Sequence, residues 1–310
     1  MKIAFMGTPA LAVPFLEALH REHEIALVVT QPDKPAGRGK GLAASPVKEY
    51  AVQHRLPLAQ PQRARDEEFI KVLREVSAQA IAVVAFGQIL PRAILDMPPN
   101  GCVNVHFSLL PRWRGAAPVQ HALLAGDAVT GVTVQHMAEK LDSGDIIIQR
   151  EWPIEPDDTT ADLWQKLTAP GVEALVDALH LLQNGKGNAP RTPQDENNIT
   201  LASMLRKEDG QIDWTQPAQE IVNRVRATNP WPGAYCSFRD RTLKVWRAAV
   251  AEGKSSSAAG HVVHSNENGV VVATGQGTVR LIEVQAEGRP RLSAAEWARG
   301  ARLEDGQPLA

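Results

Sequence analysis

Short apolar runs bounded by turn residues recur through the first half of the chain, and between them the apolar positions spread out to helical spacing. The runs predict strands at Lys2 to Met6, Ile25 to Thr30, Ala80 to Ala85, Cys102 to Phe107, Val132 to Met137 and Asp145 to Trp152. Ala10 to His20, Val47 to His54 and Asp66 to Val76 carry short apolar stripes that suit helices packed on a sheet. A longer helix is predicted after Thr159 and Thr160, which can cap it. Leu163, Leu167, Leu175, Leu179 and Leu182 lie on its related faces, and Gly185 can stop it. Pro170 and Gly171 are expected to kink or interrupt this helix.

Strands that alternate with helices predict an α/β unit of Rossmann-like type, a mostly parallel sheet with helices on both faces. The pattern then changes. Asn184 to Asn198 is rich in Gly, Asn, Pro and Gln and reads as a linker. Beyond it, Pro217 to Thr228 has helical spacing. Thr242 to Ala248, Gly260 to His264, Val270 to Thr274 and Thr278 to Val284 read as short strands joined by Gly, Asn and Ser turns. The expected organisation is a first domain over 1–187, a linker over 188–205 and a small β-barrel over 206–310. No internal repeat is evident.

The chain has 310 residues, 44% of them hydrophobic, which allows a sizeable core and two domains. No stretch is long and apolar enough to cross a bilayer, and the opening Lys2-Ile-Ala-Phe-Met-Gly reads as a strand, not a signal peptide. A cytoplasmic, monomeric protein is expected. Cys102 and Cys236 stand far apart with no Cys-x-x-Cys or His-rich cluster, so neither a disulfide framework nor a metal site is predicted. The formal net charge of −2 conceals an asymmetry: 206–310 carries 14 basic against 12 acidic residues, and 1–205 carries 19 against 23. Arg224, Arg226, Arg239, Arg241, Lys244 and Arg247 interleave with Trp231, Tyr235, Phe238 and Trp246, which suits a nucleic-acid contact as well as an ordinary solvated face. Gly7 follows the first strand, but the Gly-x-Gly-x-x-Gly spacing of a dinucleotide site is absent.

The chemistry concentrates in Asn104-Val-His106-Phe-Ser108-Leu-Leu-Pro111 and in Leu141-Asp142-Ser-Gly144-Asp. Asn104 and His106 are two apart on a strand, so both side chains leave the same face, and the strand then breaks toward Pro111. Strand ends of this kind are where α/β proteins build sites. Cys102 shares that face with His106 but lies roughly 13 Å from it, too far to act as its nucleophile.

These segments resemble the folate-dependent formyltransferases. Within that family the resemblance is strongest to the branch acting on methionyl-tRNA, whose pattern also includes Gly7-Thr-Pro9, Gln31-Pro-Asp33-Lys-Pro-Ala-Gly37-Arg38-Gly39 and Asn229-Pro-Trp231-Pro232. It runs nearly end to end. It implies 10-formyltetrahydrofolate as donor co-substrate, initiator methionyl-tRNA as acceptor, no metal, and a C-terminal domain like an oligonucleotide-binding barrel. Asn104, His106 and Asp142 match the family's catalytic trio, and Ser108, Leu109, Leu110 and Pro111 match its folate-contacting segment. The loop Gln31 to Lys48 matches the insertion that meets the acceptor end of the tRNA, with Lys34, Arg38, Lys40 and Lys48 on a backbone loosened by Gly37, Gly39 and Gly41. The implied reaction leaves an oxyanion that Asn104 and a protonated His106 can stabilise, and a carboxylate at Asp142 favours the protonated ring. Phe107 stands where the family carries a small residue, and Ala138 and Lys140 replace its usual Asp and Gly. Another acceptor amine, on glycinamide ribonucleotide or an amino-sugar nucleotide, and an idle RNA-binding protein on the same frame, are the alternatives.

Overall fold

The apolar runs of the first half lie side by side in one seven-stranded sheet. Its strands are β1 (Lys2–Gly7), β2 (Glu24–Val29), β3 (Leu58–Ala59), β4 (Ala80–Val84), β5 (Cys102–His106), β6 (Val129–His136) and β7 (Ile146–Pro153). The spatial order is β7-β6-β5-β4-β1-β2-β3. From β5 to β3 every neighbouring pair is parallel, whereas β6 runs antiparallel to β5 and β7 antiparallel to β6. The loop between β6 and β7 is shorter than the dozen or so residues a parallel crossover needs, so this edge turns back on itself. The computed structural model describes residues 1–36, 41–185, 190–253 and 255–310.

The predicted helices form as α1 (Val13–Glu22), α2 (Pro46–Gln53), α3 (Glu67–Val76) and α5 (Thr160–Asn184), and Ala10–Ala12 is a tight 3-10 turn leading into α1. Helix α4 (Pro118–Ala125) forms within a segment whose short apolar stretch gave little periodicity. Ser45 caps α2 by accepting the Lys48 N–H at 3.1 Å, satisfying one of the helix's free donors. Helix α5 runs unbroken through Pro170, contrary to the expected interruption. Leu163, Leu167, Ala174, Leu175, Ala178 and Leu179 are almost wholly buried, and that packing outweighs the single hydrogen bond a proline removes.

The described residues fall into two compact units. The first comprises Met1–Pro118, Val129–Pro153 and Trp164–Leu201. Ala4, Met6, Val29, Ile81, Val83 and Cys102 on one face of its sheet pack with Phe69 and Leu73 of α3. On the other face Phe107 meets Phe15 of α1 edge to face, with ring centroids 6.1 Å apart. The segment after α5 is held to this unit, since Thr192 pairs with Ile146 in both directions.

The second unit comprises Val119–Ala128, Ile154–Leu163 and Ala202–Ala310. Its antiparallel sheet contains β8 (Ala234–Phe238), β9 (Arg241–Ala251), β10 (Val262–Asn266), β11 (Gly269–Ala273) and β12 (Thr278–Ala286), in the order β8-β9-β12-β11-β10. Helices α6 (Ala218–Ala227) and α7 (Ala294–Ala301) bury Ile221, Val225 and Trp297 in a core with Trp214, Leu243, Val272 and Leu281. Strand β8 and helix α7 add to the elements expected from spacing. Ser293 and Glu296 form a reciprocal capping box that starts α7. Among the described residues no helix is long and apolar enough to cross a membrane.

Candidate active site

Strand β5 sets the site's first two side chains. Asn104 lies opposite Gln135 of β6 and His106 opposite Thr133, which places all four on one face. Beyond His106 the chain leaves the sheet and folds onto itself. The buried Ser108 hydroxyl donates to the Arg112 carbonyl at 2.6 Å, and the Thr133 hydroxyl donates to the Ser108 carbonyl at 2.6 Å while accepting the Leu110 N–H at 3.2 Å. Gln149 donates to the Leu110 carbonyl at 2.8 Å. Trp113, at φ 63°, takes the left-handed conformation that costs an L-residue about 1 kcal/mol. Its carbonyl lies 2.8 Å from His106 Nε2.

His106 is therefore defined at both nitrogens. A carbonyl only accepts, so Nε2 donates to Trp113 and carries a hydrogen. Nδ1 faces Asp142 Oδ2 at 3.6 Å, an ion-pair distance longer than a hydrogen bond, with both side chains nearly buried. Only the imidazolium presents a proton to the carboxylate in this arrangement. Asp142 reaches His106 from the loop between β6 and β7, where it adopts φ 50°, a conformation aspartate tolerates better than most residues. Its Oδ2 accepts the Gly115 N–H at 2.9 Å and its Oδ1 accepts from Gln135 Nε2 at 3.2 Å. Gly144 lets the loop pass this close: a Cβ there would stand 1.7 Å from the His136 carbonyl oxygen.

Asn104 is half-buried, and among the described residues its carboxamide has no hydrogen-bond partner. Leu109 and Pro111 are half-buried, Leu110 and Ser108 buried. The Leu109 side chain crosses Gly131, where a Cβ would approach it to 2.6 Å. Phe107 points away from the site into the α1 side of the core, and Ala138 and Lys140 are exposed. Departures at these three positions leave the three chemical groups in place.

Lys34 and Lys48 lie at the base of a hairpin formed by Lys34–Ala36 and Gly41–Ala43; Arg38 and Lys40 lie outside the described residues. Lys34 is exposed and donates to Gln31 Oε1. Lys48 is tied to Asp33 at 2.6 Å, and Gln60 donates to the same carboxylate at 2.8 Å. These two donors hold the Asp33 carboxyl below the usual carboxylate range. Cys102 is no nucleophile: burial pushes its thiol up to about 12. Among the described residues no three His, Cys, Asp or Glu side chains converge so as to hold a metal ion.

Sequence reasoning passed over Gln135, Gln194, Trp113, Gly115 and Thr133, all of which shape the trio. Gln135 and Thr133 carried a signal, as polar residues two apart that alternate with Val132 and Val134. Gln194 carried none, because nothing local sets it apart from its polar neighbours.

A half-buried amide donor and a buried imidazole–carboxylate pair at one strand end can stabilise a developing oxyanion and carry a proton. Comparison with known proteins gives the same frame. Residues 1–179 match the formyl transferase family and 204–302 match the formyl transferase C-terminal domain. The methionyl-tRNA formyltransferase of Agathobacter rectalis is 46% identical over 307 residues, spanning 99% of this chain and 98% of that protein. That of Clostridioides difficile is 43% identical over 310 residues, the full length of both. Among solved structures, the N-formyltransferase from Helicobacter canadensis in complex with folinic acid and dTDP-3-aminofucose superposes with a TM-score of 0.68. It is 18% identical, over 92% of this chain and 99% of that one, a likeness of fold.

Proposed function

The chain belongs to the formyl transferase family, and from that membership we infer that it moves a formyl group from a folate to an amine. It formylates the α-amino group of methionine esterified to initiator tRNA, the step that prepares this tRNA for translation initiation. The observation that carries this acceptor is the identity of 43–46% along the full chain to relatives bearing that activity in their names. The donor in this reading is 10-formyltetrahydrofolate, the compartment is the cytoplasm where charged tRNA is used, and the protein acts as a monomer.

The neutral amine attacks the formyl carbon, the carbon–N10 bond breaks, and the proton lost by the amine equals the proton gained by N10. No covalent enzyme intermediate is required. Asn104 donates its free amide hydrogens to the oxyanion of the tetrahedral intermediate. Asp142, set beside it by His106, receives the amine's proton directly or through water and relays it to N10. Leu109 and Pro111 line the folate, while Ser108 and Leu110, committed to the loop's own hydrogen bonds and core, give that wall its shape. Lys34, Arg38 and Lys40 contact tRNA phosphates, and Lys48 acts through Asp33 by holding the base of the hairpin. The segment 206–310, with 14 basic against 12 acidic residues, supplies further tRNA contact.

The test is direct: purified protein with 10-formyltetrahydrofolate and charged initiator tRNA should yield formylmethionyl-tRNA. Transfer to glycinamide ribonucleotide or an amino-sugar nucleotide, with none to the tRNA, would overturn the acceptor. No transfer to any amine would overturn the enzyme.

A further inference from the structure

Asp142 is approached by a chain of side chains whose hydrogen bonds can run in only one direction. Arg114 Nε and Nη2 lie 2.9 and 2.7 Å from Gln194 Oε1. A guanidinium has donors and no acceptor, so the oxygen of the Gln194 amide must face it. The Gln194 nitrogen then faces three oxygens, those of Gln135 Oε1 at 3.2 Å, the Asp142 carbonyl at 2.9 Å and the Gly144 carbonyl at 2.7 Å. With its own oxygen turned to Gln194, Gln135 must present its nitrogen to Asp142 Oδ1. Arg114 and the two backbone carbonyls thus set the sense of every bond in the series, and in the last bond Asp142 accepts. Gly115 N–H occupies Oδ2 in the same sense. Gln135 is 1% exposed, so water does not replace this member cheaply.

We propose that Arg114, Gln194 and Gln135 are positioning residues for formyl transfer, a polarised hydrogen-bond chain that keeps Asp142 a hydrogen-bond acceptor turned toward His106. The proposal rests on the reading of Asp142 as the charged partner of His106. It assigns to the segment after α5 a task in the chemistry: Gln194 also carries the two carbonyls of the Asp142 loop, and so fixes the loop's path as well as the acceptor role of Asp142.

The experiment compares Gln135→Met, which keeps volume and removes both hydrogen-bonding groups, with Asp142→Asn and the double variant. Steady-state kinetics are run against both substrates and melting temperatures are recorded. Gln135→Met should lower kcat on the order of tenfold, the range for one lost hydrogen bond to a charged group, with both KM values within about twofold. In the Asp142→Asn background it should cost nothing further, since its effect passes through the carboxylate. Unchanged kcat, a matched rise in both KM values, or an equal loss in the two backgrounds would overturn the proposal. Should Gln135→Met fail to fold, Gln194→Glu carries the test. It keeps the acceptor for Arg114 but sets a carboxylate against Gln135, which reverses the chain, and its loss of kcat should again vanish in the Asp142→Asn background. Near-normal kcat in Asp142→Asn alone would remove the role of Asp142 itself, an outcome distinct from failure of the chain.

Discussion

Asn104 and His106 leave the same strand but meet different fates. His106 Nε2 is engaged with the Trp113 carbonyl and Nδ1 faces Asp142, whereas the Asn104 amide is left open among the described residues. Asn104→Ala should therefore lower kcat by roughly 10²–10³-fold, the range for loss of one preorganised oxyanion donor, and leave folate affinity unchanged. Single-turnover rates and a folate titration measure this, and a loss confined to folate binding would refute the assignment. His136, nearby on β6, carries no such role but affects stability. Burial, with Arg191 adding to it, holds its imidazole below the ordinary histidine value. The unfolded chain then takes up a proton that the folded one does not as pH falls through about 6.5, so this site's contribution is intact above that pH and is lost below it. His136→Gln should make the fall in urea-unfolding stability between about pH 7 and 5 shallower. An unchanged slope would show that other groups govern it.

Elements reveal which local signals sufficed. The buried strands β1, β4 and β5 follow their apolar runs within a residue or two, because the runs are bounded by turn residues and each is long enough to cross the sheet. Strand β3, at two residues, is too short to produce a pattern, and forms because β2 presents a free edge to it. The Ser293–Glu296 box went unread although Ser-x-x-Glu is a local signal, whereas Pro170 was a misleading breaker because the strength of the packing around it is not local information. The loop between β6 and β7 depends on contact in a similar way. Gly144→Ala would drive a methyl into the His136 carbonyl, so the loop must move and carry Asp142 with it. Expected are a stability loss of roughly 1–3 kcal/mol and a fall in kcat larger than any rise in KM, from denaturant unfolding and steady-state kinetics. Wild-type kinetics in a destabilised variant would separate the loop's path from the chemistry.

Each of the two units carries one buried thiol, Cys102 in the first and Cys236 in the second. Burial pushes both up to about 12, so neither is nucleophilic near neutrality. In native protein at pH 7.5 both should resist iodoacetamide, and each should react as its own unit opens. Peptide mass analysis along a urea series then reads the stability of the two units separately. Coincident labelling of Cys102 and Cys236 would mean one cooperative transition, and rapid labelling of either in native buffer would contradict its burial. The segment before Leu201 bears on where activity can be divided. Thr200 accepts the Trp113 N–H at 2.8 Å and Gln194 holds the Asp142 loop, so the chemistry of the first unit extends well past the end of α5.

Residue order was enough for the α/β alternation, the second β-rich region and the choice of Asn104, His106 and Asp142 as candidates, because period, turn chemistry and motif are properties of neighbours along the chain. It could not give the direction of a hydrogen bond between residues decades apart. Gln135 and Gln194 become meaningful when β6 lies beside β5 and the segment after α5 returns to the sheet, and then Arg114 and the Asp142 and Gly144 carbonyls together set their orientation. Nor could it show that Phe107 faces Phe15 and not the site, or that Lys48 is neutralised by Asp33: each depends on which face of an element meets which neighbour. Long-range packing selects among the many partners a polar side chain could accept, and it is the selected partners that turn three motif residues into a site with defined donors and acceptors.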